Sequence, residues 1–373
     1  MKIQPIVKVF SILSFTLMAQ TSLAFVENVS HGYVNCMACH ASPSGGGLLT
    51  DYGRSLSKEL MSTWGWENSE APLFGAIKQT ENFKVGGHLR ALQSHFDNPQ
   101  LKRGRFFLMQ QNLELGYKIG KAWLIGTFGT KEGPDGTKDK GTFLSEHHYV
   151  LYELSDTSFL RVGKYKIPFG INDPVHTRST EQGLGFGSQS ETYNLEANQF
   201  SDTGELFVGA SLGRIDLPRE QTSEKSYYAR YAHYVGEKNK VGVSYLLGES
   251  PTKRRNLLGI FGVFTPIEKL SVVSEVDFES SHLASSPTDR VDGLFMAHKG
   301  LYELFKGMKP YLVFEAQQTS LADPTSQSLK PGLGFQWIPI PHLELQAEYQ
   351  RVTNSRSPGE HADVAWLITH FWF

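Results

Sequence analysis

Cysteine is scarce in this 373-residue chain: it has two, Cys36 and Cys39. Two thiols cannot staple a disulfide framework. A dominant charge is missing as well. The 36 Lys and Arg residues face 38 Asp and Glu, a formal net charge of −2, so no basic footprint for nucleic acid exists. Beyond residue 24 no apolar run reaches the roughly 20 residues that a spanning helix needs, and mean hydropathy is −0.30. A helical membrane protein is therefore excluded. Pro (17) and Gly (36) stay below the low-complexity range. No catalytic constellation stands out, and the chain is not expected to be an enzyme. His147 and His148 are adjacent, so on a strand they point to opposite faces and cannot chelate together.

What is present begins with an export signal. Lys2 and Lys8 give a positive start, Val9 to Ala19 a short apolar core, and Ser22-Leu23-Ala24 a small-x-small cleavage site. Residues 1–24 are read as a signal peptide, with the mature chain starting at Phe25. The apolar core is too short for an anchor. No cysteine follows the cleavage site, which excludes a lipoprotein signal.

The remainder divides in two. Residues 25–80 hold both cysteines, a glycine run and one expected helix from Asp51 to Trp64, with Leu56, Leu60, Met61 and Trp64 on one face. Residues 81–373 alternate with period two. Leu343, Leu345, Ala347 and Tyr349 oppose Glu344, Gln346, Glu348 and Gln350. Leu270, Val272, Val276 and Phe278 oppose Glu275, Asp277 and Glu279 in the same way. Phe107, Met109, Leu113, Leu115, Tyr117 and Ile119 are placed opposite Gln110, Asn112, Glu114 and Lys118. Such alternation predicts strands with one apolar and one wet face.

About sixteen strands are predicted, from 83–96 to 362–373, with the fifth at 157–169. Short turns alternate with long polar loops. An even strand number, long strands and this loop asymmetry point to an all-β fold, a transmembrane antiparallel barrel in a Gram-negative outer membrane. Tyr227, Tyr228, Tyr234, Trp337, Trp366 and Trp372 lie near strand ends, where an interfacial girdle is expected. The terminal Ile-Thr-His-Phe-Trp-Phe373 resembles the recognition signal of barrel-assembly substrates.

Leu160-Arg-Val-Gly-Lys-Tyr-Lys-Ile-Pro-Phe-Gly170 resembles the strand and turn that introduce the third loop of phosphate-selective (O/P type) porins. That resemblance implies that the loop at about 170–190 folds into the lumen, and that small solutes are partners. The expected lumen mixes Lys84, Arg90, Lys118, Arg161 and Arg230 with Glu114, Glu196, Glu275, Asp277, Glu344 and Glu348, so a basic anion ladder is not expected.

Cys36-Met-Ala-Cys39-His40 resembles the haem attachment site of c-type cytochromes. The resemblance implies one covalent haem c, with Cys36 and Cys39 as thioether anchors and His40 as an axial iron ligand. A redox disulfide lacks a surrounding βαβ pattern, and a zinc site lacks a second cysteine pair. For the sixth iron position the candidates are His31 and Met61, and a barrel histidine such as His88 is a third source. The expected function is electron transfer at or across the outer membrane, with periplasmic or outer-membrane cytochromes as partners and lipid around the barrel. The alternative is a porin-like diffusion channel in which the haem segment, on the periplasmic side or in the lumen, is a structural or redox-gated plug.

Overall fold

The computed structural model describes residues 31, 33–131, 143–216, 224–357 and 359–373. The expected signal peptide, residues 1–24, and residues 25–30 of the N-terminal segment lie outside the described residues.

Among the described residues, sixteen antiparallel strands close on themselves. In chain order they are β1 (Phe83–Asp97), β2 (Lys102–Ile119), β3 (Ala122–Lys131), β4 (Leu144–Glu153), β5 (Ser158–Tyr165), β6 (Thr192–Ser201), β7 (Gly204–Ser211) and β8 (Lys225–Tyr234). The second half comprises β9 (Lys240–Glu249), β10 (Lys253–Ile267), β11 (Leu270–Leu283), β12 (Ser286–Tyr302), β13 (Met308–Gln318), β14 (Gln327–Ile340), β15 (Leu343–Asn354) and β16 (His361–Trp372). Each strand pairs with its sequence neighbours, and β1 pairs with β16 from His88 opposite Trp372 to Asp97 opposite Asp363. Closure removes every sheet edge, as a membrane barrel requires.

The alternation is inside-out. Along β15, Glu344, Gln346, Glu348 and Gln350 are buried, while Leu343, Leu345 and Tyr349 keep surface outside. The outer wall exposes Leu113, Val162, Ile260, Leu312 and Leu333, the apolar band that lipid covers in such a fold.

Three expectations about facing need correction. Phe107 is buried on the lumen side instead of sharing the outer face of Leu113. The register jumps from Arg90 opposite Gln110 to Ala91 opposite Leu108, so Met109 is an extra residue, and the bulge flips what precedes it. Tyr228, Tyr234 and Trp372 face inward and do not belong to a girdle, whereas Tyr227 is 71% exposed. Neighbouring residues on a strand cannot share a face. The fifth strand ends at Tyr165, not residue 169, because Ile167 and Phe169 leave the wall to pack inside against Leu184 and Phe186.

Two segments fill the lumen. The long loop after β5 turns inward and carries a short helix, α2 (Ser179–Gln182). Ahead of the barrel, α1 (Asp51–Leu56) continues as one wider turn, Ser57–Met61. Thr50 caps α1, its hydroxyl accepting from Gly53 N at 3.0 Å. The helix stops short of the predicted Trp64, which is 59% exposed. Thr63 N and Trp64 N instead donate to Ile338 O and Pro339 O at the end of β14, at 2.9 and 2.8 Å.

Candidate functional site: a lumen plug with a Cys-x-x-Cys-His turn

Cys36–Ala38 form a tight turn capped by Asn35. Cys39 N and His40 N both donate to Cys36 O, at 3.2 and 3.0 Å, so both thiols and the imidazole issue from one turn. The thiols are not joined to each other. Burial pushes the Cys36 thiol up, and that of Cys39 up to about 11. Burial pushes His40 down, toward the neutral imidazole that ligates metals.

The glycine run then folds the chain back. Gly45, Gly46 and Gly47 have φ of +79°, +76° and +66°, a conformation that favours glycine. This brings the Gly47 carbonyl within 3.4 Å of His40 Nδ1. Among the described residues Nε2 has no hydrogen-bond partner. A backbone carbonyl on one ring nitrogen fixes the tautomer that leaves the other able to bind a metal. Gly53 of α1 lies so close to Cys39 that a Cβ would run into its backbone. The turn and the helix are therefore one packed unit, tied also by Thr50 Oγ1 to Ala38 O at 2.9 Å. Two unpaired thiols, a tautomer-fixed histidine and a glycine-lined return are what a covalently attached haem requires, and the residues present fit that group.

This unit sits inside the barrel. Arg161, 1% exposed on β5, donates to Ser42 Oγ and Ser44 Oγ at 3.1 and 3.2 Å and to Glu196 at 2.7 Å. Asn172 of the inward loop reaches Ser44 O at 3.4 Å, and Lys240 reaches Val34 O at 3.1 Å. At the short-turn end, Lys306 Nζ donates to Lys58 O, and His342 lies 3.1 Å from Ala71 O.

The inward loop is equally anchored. Arg178 spans the lumen to Glu348 at 2.7 Å and Glu315 at 3.0 Å. Arg230 holds Gly170 O at 2.8 Å and Glu205 at 2.7 Å. Arg178, Glu205 and Lys240 were not among the predicted lumen groups. Arg178 lies in a loop with no periodicity to give it a direction.

His31 lies 3.3 Å from Glu303. Met61 packs against Ile338 and Trp372. His88 faces the lumen as its strand position predicts, stacked on His370 and 3.4 Å from Glu114. A further group escaped sequence reading: Glu146, His147 and Glu191 bring ligand atoms within 4.8 Å of one another. The register jumps from His147 to Ser145, so Glu146 is a bulged residue, and no alternation rule anticipates such a cluster.

No protein-family model and no curated relative matches the chain. Solved structures do. A loop-deletion mutant of OmpT, an outer membrane protein of Vibrio cholerae, is similar with a TM-score of 0.63 at 12% identity, covering 78% of this chain and 99% of that one. The anion-selective porin of Comamonas acidovorans gives 0.61 at 8% identity, covering 78% and 99%. The outer membrane channel DcaP of Acinetobacter baumannii gives 0.57 at 14% identity, covering 80% and 99%. At these identities the likeness is one of fold: the chain is a sixteen-stranded barrel of the outer-membrane porin architecture.

Proposed function

We propose that this protein is an outer-membrane channel for small solutes, plugged from the periplasmic side by its own N-terminal segment, and that this segment carries one haem c. The observation that carries the reading is the seating of Ser42 and Ser44 in the lumen, bonded at once to the wall through Arg161 and to the inward loop through Asn172. Short turns face the periplasm in barrels of this architecture, and the plug lies against them through Thr63, Trp64 and Ala71. Cys36 and Cys39 would hold the haem and His40 Nε2 would take its iron. When bound, the group supplies a one-electron redox centre. The chain's own part is mechanical. The attachment turn, the glycine return and the inward loop share hydrogen bonds, so a change at the turn is passed to the loop that narrows the lumen.

A second reading, electron transfer at or across the outer membrane, draws on Tyr52, Trp64 and Trp66 of the plug, which are 49%, 59% and 49% exposed. They offer a periplasmic cytochrome an aromatic contact surface. One haem is small against a hydrocarbon core of about 30 Å, so this reading needs a partner on each side.

Planar-bilayer recording of the full, haem-loaded chain tests the channel. We expect discrete single-channel currents whose amplitude or open time differs between reducing and oxidising buffer. Absence of current in both states overturns the channel reading. Currents identical in both states overturn the redox-gated plug.

A further inference from the structure

The plug contains a buried cation with no direct ion pair among the described residues: the carboxylates of Asp51 and Glu114 act on it only from a distance. Arg54, on α1, is 3% exposed. Its Nη2 donates to Val85 O at 2.8 Å, and its Nε and Nη1 have no partner. The nearest acid in sequence, Asp51, is engaged by Lys84 at 2.5 Å. The lumen arginines differ: Arg161, Arg178 and Arg230 each lie 2.7 Å from a carboxylate. Arg90 also has no carboxylate contact among the described residues, but it is only partly buried.

A second unpartnered donor lies one helical turn on. Ser57 is 2% exposed and its hydroxyl bonds to nothing. Residues three apart share a helix face. His342, fully buried in the β14–β15 turn, donates from Nε2 to Ala71 O at 3.1 Å, so its unpartnered Nδ1 is an acceptor and takes no part in binding an anion. Buried polar groups are generally hydrogen-bonded; Arg54 Nε, Arg54 Nη1 and Ser57 Oγ are three unpartnered donors within one helical turn, which points to a ligand with more than one acceptor atom.

Gly53, the residue before Arg54, is pressed against the Cys39 backbone, which puts the cluster on the helix that supports the attachment turn. A haem attached there brings two propionate carboxylates with it. A guanidinium fork is the side chain best matched to a planar carboxylate. We propose that Arg54, assisted by Ser57, is the grip of this chain on a haem propionate. The proposal rests on the haem c reading. Buried water is the competing occupant, since it would satisfy the donors and leave the charge unbalanced.

The test uses the full chain, expressed with a cytochrome c maturation system and purified in detergent, as wild type, Arg54→Gln and Arg54→Lys. Haem surviving acid–acetone extraction of the wild type reports on the haem reading separately. If none survives, that reading and the grip fall together. With haem present, loss of a positive charge beside it favours the oxidised iron. We therefore expect a lower midpoint potential in Arg54→Gln and a nearly restored one in Arg54→Lys. We also expect the propionate bending band in resonance Raman to move in both variants. An unchanged potential and band in Arg54→Gln overturn the grip in favour of water. A potential lowered equally by Lys and Gln assigns Arg54 a packing role and also overturns it. If Arg54→Gln does not assemble, the Raman band of Arg54→Lys decides: a shifted band supports the grip and an unmoved one overturns it.

Discussion

The barrel wall and the N-terminal segment differ in how they hold their most deeply buried arginines. In the wall, Arg161 meets Glu196 and Arg230 meets Glu205, each at 2.7 Å, and the inward loop adds Arg178 against Glu348 and Glu315. In the plug, Arg54 is as deeply buried and meets no carboxylate. The wall's own buried charge without an ion pair is an acid, Asp277 of β11, which is 0% exposed and meets no cation among the described residues. In the plug, the proposed haem propionate would supply the carboxylate that Arg54 lacks.

The sharpest way to probe that difference is to break the charge pair where the two regions meet. Arg161→Leu leaves Glu196 uncompensated in a fully buried position and removes both hydroxyl contacts to the plug. We expect a loss of about 3–5 kcal/mol in unfolding free energy, read by denaturant titration in detergent. A loss under about 1 kcal/mol would show that the wall tolerates an unpaired charge as the plug does.

A smaller effect, confined to the plug, is expected from Gly53→Ala. Its Cβ has no room beside the Cys39 backbone, and overpacking costs typically about 1–3 kcal/mol. Covalent haem yield should fall while the heat-modifiable gel mobility of the folded barrel stays unchanged. Equal damage to both would mean that plug and barrel fold as one unit.

The smallest effect is in pH. Burial pushes Glu181, on α2 of the inward loop, up to about 7, with Lys166 opposing the shift and Asp173 adding to it. Glu275 and Asp277 of β11 face it as well. An acid whose folded pKa exceeds its unfolded value binds more protons when folded, so its contribution falls as pH rises. Stability should therefore decline between about pH 4.5 and 7, by at most about 1.4 kcal/mol per pH unit for one proton. Glu181→Gln should flatten that slope, and an identical slope in the variant would assign it to other groups.

Some of this was legible in the sequence for a local reason. Period-two alternation fixes which side of a strand a residue takes, so Glu344 to Gln350 and Glu275 to Glu279 could be assigned to the wet face without any tertiary information, and the buried acids of β11 and β15 agree. The Cys36 to His40 spacing is equally local, and the structure places its three side chains on one turn.

Alternation misleads wherever one residue is inserted. Met109 and Glu146 are such insertions, and they turned Phe107 inward and grouped Glu146 with His147 and Glu191. A bulge leaves no compositional mark. Nor could the sequence show what the plug docks on, because those contacts join distant parts of the chain: Thr63 reaches Lys306 across 243 positions, and His88 meets His370 across 282. The sequence by itself determined a barrel, and it carried the expectations of an export signal and of haem attachment, since each is written in spacings of a few residues. Closure of the barrel decided the rest: a plug inside the lumen, a loop pinned across it by Arg178, and an arginine buried with no ion pair among the described residues. Only closure brings residues hundreds of positions apart within hydrogen-bonding distance.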